Sequence, residues 1–175
     1  MLNPYTCPIE GDLSRADVVA LTLLCRNKRV IEFGLGGSTI ILKQIAKSLI
    51  TYETKPVWVD RFKEKTPDCD IRIVEETKDG SSWKGLGEEC DVVFSDGWAA
   101  MRAPFIFEFW PYLKECAITH DSRIVYGPRC VALFAEKYNP PIPKQWGHNP
   151  FTATLERIDW SYLESNMIVL HKRNC

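Results

Sequence analysis

Acidic side chains and a glycine-rich turn stand where the predicted strands of this chain end. The segment 32–37 reads Glu-Phe-Gly-Leu-Gly-Gly; it follows the apolar pair Val30-Ile31 and precedes a helix-like run that begins at Ser38. A strand, a glycine turn and a helix in this order form the crevice in which nucleotide cofactors bind. Glycine is needed there because the chain turns sharply and a ligand contacts the backbone.

The spacing of the glycines indicates which cofactor the turn suits. A dinucleotide site reads G-x-G-x-x-G and brings a pyrophosphate to the helix N-terminus. Here Gly34 and Gly36 are followed by Thr39 where the third glycine would stand. Glu32, two positions before the first glycine, favours a cofactor with a cationic amino-acid tail.

Carboxylates occur at or beside four predicted strand ends, at Glu32, Glu53, Asp96 and Asp121. In open α/β sheets the ligand lies beyond the carboxyl ends of the strands. Glu53 lies at the end of the second strand, the position of an acid that accepts hydrogen bonds from ribose hydroxyls, whether the cofactor is NAD or another adenosine compound. Glu75 and Glu76 end the third strand, and one of them, with Glu76 as the candidate, would face the adenine amino group.

The apolar pattern predicts one α/β domain over residues 1–175. Strands are predicted at 29–33, 49–53, 71–74, 90–97, 117–121, 152–160 and 166–172, and helices at 14–27, 38–48, 56–65, 104–114 and 127–138. Because strands and helices alternate, we predict a Rossmann-like, doubly wound, mostly parallel seven-stranded sheet. The last two strands have no helix between them, so the last strand is predicted to be antiparallel.

Charge and cysteine content argue against several partners. The 22 basic and 23 acidic residues give a net charge of −1, and no Lys/Arg stripe is present, which disfavours nucleic acid as a partner. The seven cysteines form no C-x-x-C pair, so reduced thiols are expected rather than a zinc site. With no secretory signal pattern and no apolar run near ~18 residues, we expect a cytoplasmic protein with no membrane partner.

The segment 92–98, Val-Val-Phe-Ser-Asp-Gly-Trp, adds a second motif. Together with the turn at 32–39 it resembles class I S-adenosylmethionine-dependent methyltransferases, nearest to the small-molecule O-methyltransferases of the catechol type. In those enzymes the fourth strand ends in an Asp with a Trp two positions later, as at Asp96 and Trp98. Their fifth strand ends in Asp-Asn, which corresponds to Asp121-Ser122. At fold level the resemblance covers residues 14–172.

The resemblance implies roles for these residues. The methionine part of S-adenosylmethionine would contact Glu32 and the backbone of Gly34, Gly36 and Gly37, and Ser38 or Thr39 would bind its carboxylate. Glu53 would hold the ribose, and Trp98 would lie against the adenine. Asp96, Asp121 and Ser122 would be the Mg²⁺ ligands, since this ion prefers hard oxygen donors.

Two departures from the family pattern concern catalysis. Position 99 is Ala where the catechol-type enzymes carry a general-base Lys, and Ser122 replaces the Asn ligand. His120 is an alternative base beside Asp121, because a neutral imidazole suits proton transfer near pH 7; a structural role is the other interpretation. Arg102 is interpreted as solvated surface or as a partner for an acidic substrate.

The sequence therefore predicts methyl transfer from S-adenosylmethionine to a small-molecule acceptor, at a hydroxyl oxygen, with Asp96, Asp121 and His120 as the catalytic candidates. An alternative is a protein that binds S-adenosylmethionine without methylating, as a cofactor-degrading enzyme, a sensor or an inactive partner. An NAD-dependent oxidoreductase is less well supported, because the third glycine and a hydride-transfer motif are missing. The acceptor and a homo-oligomeric state are left open.

Overall fold

A six-stranded sheet organises the part of the chain that the computed structural model describes, residues 2–77, 79–120 and 167–172. The strands are β1 Arg29–Phe33, β2 Ser48–Glu53, β3 Asp70–Ile73, β4 Cys90–Ser95, β5 Leu113–Thr119 and β6 Ile168–His171. The helices are α1 Arg15–Cys25, α2 Gly37–Ile45, α3 Pro56–Phe62 and α4 Ala99–Phe109. Short 3₁₀ turns lie at Ser81–Trp83 and Trp110–Tyr112.

The strand order is β3-β2-β1-β4-β5-β6, with parallel pairs throughout except for the antiparallel pair of β5 and β6. In this register Phe33 lies opposite Tyr52 and Ser95, and Ser95 lies opposite Thr119. The carboxyl ends of β1, β2, β4 and β5 therefore meet at one edge of the sheet. The predicted Rossmann-like α/β fold with a reversed last strand is confirmed over six strands, while the segment 152–160, predicted as a further strand, lies outside the described residues.

Both faces of the sheet are covered, as a doubly wound fold requires. One core contains an aromatic cluster from β1, β2, the 3₁₀ turn and α4, comprising Phe33, Tyr52, Trp83, Phe105 and Phe109. The other core packs α1 and α2 against the opposite face through aliphatic side chains such as Leu21 and Leu42. Burial of these apolar side chains is the main force that holds the sheet edge in place.

Helix boundaries differ from the sequence prediction at α4. The helix begins at Ala99 rather than Pro104 and ends at Phe109, where the 3₁₀ turn Trp110–Tyr112 follows, and β5 starts at Leu113 within the predicted helix. Pro104 lies inside the helix, although proline removes one helical hydrogen bond. Gly80 leaves room for the proline side chain, since a Cβ at this glycine would lie 2.1 Å from the Cβ of Pro104. Tertiary packing overrides the local preference here.

Helix α1 begins where the sequence predicts it to begin. Ser14 and Asp17 form a capping box, with the Asp17 backbone N–H donating to Ser14 Oγ and the Ser14 N–H donating to Asp17 Oδ2. Helix α2 ends at Ile45, three residues before the predicted end, because β2 starts at Ser48. The predicted helix at 127–138 lies outside the described residues.

All five cysteines in the described ranges are free thiols, and four of them are buried: Cys7, Cys25, Cys90 and Cys116. Burial raises the pKa of the Cys90 and Cys116 thiols to about 12. These thiols are therefore neutral, apolar-like members of the core. Within the described ranges, no helix has the length and apolar character needed to cross a membrane.

Candidate functional site

A cavity of about 600 Å³ lies at the carboxyl edge of the sheet, a size typical of small-molecule sites. Its described walls are the segments 10–13, 34–38, 53–55 and 96–98, with further side chains from α3, α4 and the end of β5. The turn after β1, the end of β2 and the turn after β4 therefore face one space. This is the position at which open α/β sheets bind ligands.

Glu32 is fully buried at the end of β1 and holds the turn together. Its carboxylate accepts hydrogen bonds from Ser38 Oγ at 2.5 Å, Thr39 Oγ1 at 2.7 Å and Thr51 Oγ1 at 2.9 Å. Burial raises the pKa of Glu32 to about 7, against the opposing effect of the three hydroxyl groups. Glu32 therefore fixes the start of α2 relative to β2.

The hydroxyls of Ser38 and Thr39 are directed at Glu32, which differs from the predicted contact with a cofactor carboxylate. Each hydroxyl has one proton to donate, and in both residues Glu32 accepts it. Thr39 Oγ1 in turn accepts from the Gly36 N–H at 3.0 Å. Ser38 and Thr39 thus hold the turn through Glu32, and the cavity is lined there by residues 34–37 and Ser38.

The three glycines of the turn are required for different reasons. Gly34 has φ +104°, and a Cβ there would lie 2.6 Å from the Gly97 nitrogen. At Gly37 a Cβ would lie 1.9 Å from the Glu10 carbonyl oxygen. Gly36 has extended backbone, and a Cβ there would meet no atom within 4 Å in the described structure. Gly34 and Gly37 are therefore needed by the fold itself, whereas Gly36 keeps a space open at the N-terminus of α2.

Glu53, at the end of β2, is buried beside the cavity and joins two of its walls. Its Oε2 accepts from the Leu35 N–H at 2.9 Å, and its Oε1 accepts from the N–H groups of Thr54 and Lys55 at 2.6 and 2.8 Å. These contacts hold the carboxylate at the edge of the sheet. Glu76, in contrast, forms an ion pair with Lys55 at 2.5 Å and is not among the described side chains of the cavity.

The turn after β4 is fixed to the end of β1. The N–H groups of Asp96 and Gly97 both donate to the Phe33 carbonyl at 2.8 Å. A Cβ at Gly97 would lie 2.4 Å from the Phe33 ring, so this glycine permits the close packing of the two turns. Trp98 follows at the cavity wall with 38% of its surface exposed, and α4 begins at Ala99.

Arg102 is buried, which corrects its interpretation as a solvated surface residue. Its Nε donates to the Gly97 carbonyl at 2.7 Å, Nη1 to the His120 carbonyl at 3.0 Å, and Nη2 to the Asp96 carbonyl at 3.1 Å. The guanidinium therefore joins the turn after β4 to the end of β5. Sequence reasoning missed this role because the helix that carries Arg102 was predicted to begin two residues after it.

His120 lies between two carboxylates, with Nδ1 3.2 Å from Asp96 Oδ1 and Nε2 3.4 Å from Asp17 Oδ2. Burial lowers its pKa, but the hydrogen bonds to Asp17 and Asp96 have the larger combined effect and raise the pKa to about 10. The imidazole is therefore protonated at neutral pH. A protonated imidazole cannot accept a proton, so the structure argues against His120 as the general base and supports its structural interpretation.

The predicted magnesium site is not supported by the described residues. They contain no group of three His, Cys, Asp or Glu side chains able to hold a metal ion. Asp96 is 3.3 Å from the Arg102 guanidinium and 3.2 Å from His120, so it is already close to two cations. The other two predicted ligands, Asp121 and Ser122, lie outside the described residues.

Comparison with known proteins supports the fold. No protein-family model and no curated protein sequence matches the chain. Among solved structures, the ribosomal protein L11 methylase of Lactobacillus delbrueckii subsp. bulgaricus is similar with a TM-score of 0.57 and 11% identity, over 95% of this chain and 82% of that one. The precorrin-6y C5,15-methyltransferase of Geobacter metallireducens GS-15 gives 0.52 and 17%, over 74% of each chain.

A third similar structure is the precorrin-8w decarboxylase of Methanobacterium thermoautotrophicum, with a TM-score of 0.51 and 12% identity over 67% of this chain and 68% of that one. The chain shares its fold with methyltransferases. At these identities the similarity concerns the fold, and it does not extend to the catechol-type branch or to a particular acceptor.

Proposed function

We propose that this chain binds S-adenosylmethionine in the cavity and transfers its methyl group to a hydroxyl oxygen of a small-molecule acceptor. The observation that carries the proposal is the open space beside Gly36. A Cβ there would meet no described protein atom within 4 Å, although neighbouring glycines are tightly enclosed. Space kept free at a helix N-terminus, next to a strand-end carboxylate, suits a ligand that contacts backbone.

The residues around this space fit the cofactor. The backbone of the turn at 34–37 would contact the methionine part, and Glu53 would accept hydrogen bonds from the ribose hydroxyls. Trp98, partly exposed at the cavity wall, offers a flat apolar surface for the adenine. Glu32 contributes indirectly, by holding the start of α2 through Ser38 and Thr39.

S-adenosylmethionine supplies an activated methyl group on a sulfonium, so the protein chiefly has to align the acceptor oxygen with it. The fixed turn after β4 serves this purpose, because Arg102 and the Phe33 carbonyl hold Asp96 and Gly97 in place. Among the described members of the predicted catalytic set, Asp96 has a carboxylate that is partly exposed at the cavity. We assign it the binding of the acceptor hydroxyl, whose proton it accepts as the oxygen takes the methyl group and S-adenosylhomocysteine leaves.

A second candidate function is binding of S-adenosylmethionine without methyl transfer. Two observations favour it. Ala99 begins α4 at the position where the catechol-type family carries its base, and His120 is protonated at neutral pH. In this case the cavity would serve a sensor, a cofactor-degrading enzyme or an inactive partner.

Calorimetric titration with S-adenosylmethionine, S-adenosylhomocysteine and NAD, each alone, tests the proposal. We expect micromolar binding of the first two and none of NAD. Incubation with S-adenosylmethionine and a panel of hydroxylated small molecules, with detection of S-adenosylhomocysteine, then separates the two candidates. Binding without acceptor-dependent product would favour the second function, and absence of binding would refute both.

A further inference from the structure

Helix α3 brings an aromatic and cationic cluster into the cavity, which the binding of S-adenosylmethionine proposed above does not use. Trp58, Arg61 and Phe62 all line the cavity. Residues three and four positions apart share one face of a helix. The Arg61 guanidinium carbon lies 5.0 Å from the Trp58 ring centroid and 5.8 Å from the Phe62 centroid. The two rings lie 5.9 Å apart at 32° to each other.

Arg61 differs from the other cationic side chains of the cavity because no acidic side chain among the described residues pairs with it. Lys65 forms an ion pair with Glu10, Lys55 with Glu76, and Arg102 with Asp96. His120 lies between Asp17 and Asp96. With the described residues the Arg61 side chain forms no ion pair and no hydrogen bond, and its guanidinium lies over the two aromatic rings.

An arginine stacked on aromatic rings keeps its N–H groups available at the edge of the guanidinium plane. These groups form a fork that matches a carboxylate or a phosphate in a bidentate manner. Contact with the rings restricts the guanidinium, so less side-chain entropy is lost when an anion binds. Trp58 is 38% exposed and offers an apolar surface beside the fork.

We propose that Trp58 and Arg61 form an anion-binding subsite that selects an aromatic hydroxy acid as the methyl acceptor. Arg61 binds the carboxylate or phosphate of the acceptor, and Trp58 packs against its ring. This inference rests on the proposed methyl transfer, because it names the acceptor class of the same cavity. Asp12, which also lines the cavity without a described ion pair, belongs to the N-terminal wall and not to this cluster.

The Arg61 guanidinium would also bind a phosphate on the ribose of a cofactor, because Glu53, the residue proposed to hold the ribose, lines the same cavity. The experiment therefore needs two arms. In the first, the protein saturated with S-adenosylhomocysteine is titrated calorimetrically with 4-hydroxybenzoate and with the neutral 4-hydroxybenzamide. In the second, the protein alone is titrated with adenosine 2′,5′-bisphosphate and with adenosine 5′-phosphate.

We expect 4-hydroxybenzoate to bind about tenfold more tightly than the amide, the usual effect of a charged hydrogen-bonded pair. Arg61→Gln should abolish this preference and leave the affinity for S-adenosylhomocysteine unchanged. Lys63→Gln is the matched control: it removes one positive charge directly after α3 from a residue that pairs with Asp60 and is not among the described side chains of the cavity. The preference should survive in that variant.

The proposal is overturned if 4-hydroxybenzoate does not bind, if it binds no better than the amide, or if the preference persists in Arg61→Gln. It is also overturned if the bisphosphate is the ligand that loses affinity in Arg61→Gln, because the anion would then belong to a cofactor. Titration of the protein without S-adenosylhomocysteine, with 4-hydroxybenzoate and 4-hydroxybenzamide, distinguishes failure of the subsite from failure of the proposed function. Without any binding of S-adenosylhomocysteine the proposed function fails, while a carboxylate preference lost in Arg61→Gln would still support the subsite.

Discussion

At the scale of single residues, substitutions at Gly34 and Gly36 distinguish a glycine that the fold requires from a glycine that ligand binding requires. A methyl group at Gly36 would enter the open cavity, whereas one at Gly34 would collide with the Gly97 backbone in a left-handed conformation. We expect Gly36→Ala to lower the free energy of unfolding by about 1 kcal/mol or less, since it changes only a helix N-cap. The same substitution should weaken S-adenosylhomocysteine binding by about tenfold or more.

Gly34→Ala is the companion variant, and we expect it to lower the free energy of unfolding by about 1–3 kcal/mol, through backbone strain. Urea unfolding and calorimetric titration of both variants provide the two readouts. Unchanged affinity in Gly36→Ala would mean that the ligand does not occupy the space at this glycine, and it would remove the main support for the proposed cofactor site.

At the scale of elements, Arg102 joins α4, the turn after β4 and β5 through three backbone carbonyls. Lysine keeps the charge but lacks the planar fork, so it cannot contact all three. We expect Arg102→Lys to lower the free energy of unfolding by about 2–3 kcal/mol, because buried carbonyls lose their donors. Arg29→Lys, in a more exposed pair with Asp91, should cost about 1 kcal/mol or less. If urea unfolding gave the same loss of unfolding free energy for Arg102→Lys and Arg29→Lys, the proposed role of Arg102 would be refuted.

The contact of α1 with the end of β5 depends on the charge of His120, which links Asp17 to Asp96. Its pKa of about 10 in the folded protein is above the ordinary value of 6.5. The stabilisation is therefore complete below about pH 6.5 and is lost as the pH rises towards 10. We expect the free energy of unfolding to fall between pH 7 and 8.5, by up to about 1.4 kcal/mol per pH unit.

The control for this pH dependence is His120→Gln, measured by urea unfolding over the same range. The variant should be less stable at pH 7 and should lack most of the decline. The raised pKa of Glu32, about 7, acts below this range, as the pH rises from about 4.5 to 7, and is common to both proteins. Parallel curves for the two proteins would show that His120 is not protonated in the folded state.

At the scale of the whole molecule, a ligand that contacts the turns after β1, β2 and β4 should stabilise the sheet as one unit. Binding to the folded state alone adds about 2.7 kcal/mol when the ligand concentration is 100 times Kd. For a chain of this length, we expect S-adenosylhomocysteine at that ratio to raise Tm by about 5–10 °C. NAD at the same concentration should leave Tm unchanged, and an equal shift with NAD in scanning calorimetry would contradict the proposed cofactor preference.

The sequence predicts the carboxyl ends of the strands well, because each strand end is defined by residues that are neighbours in the chain. Strands β2 and β4 end in the polar residues Glu53 and Ser95, β1 carries Glu32 next to its last residue, and the glycine turn after β1 has a recognisable spacing. The sequence predicts the side-chain contacts poorly because they depend on distant residues. Asp17 and His120 are 103 positions apart, and their contact, together with that of Asp96, raises the pKa of the imidazole.

Glu32 illustrates the same limit in the site itself. Its position before the glycine turn indicates an acid near a ligand, but the side chain is fully buried and is not among the described residues that line the cavity. Its hydrogen bonds to Ser38, Thr39 and Thr51 become visible only when α2 and β2 are packed against β1. Arg102 was misread for a related reason, because Pro104 suggested a helix start where the helix in fact continues.

The buried thiols offer a way to follow how often this sheet opens. Alkylating reagents attack the thiolate, and Cys90, in the central strand β4, has a pKa of about 12 and no exposed surface. Its alkylation therefore requires that the strand first separates from its neighbours, whereas the half-buried Cys69 can react from the folded protein. The rate at Cys90 relative to Cys69 thus measures how often the core around Cys90 is transiently exposed, without any denaturant.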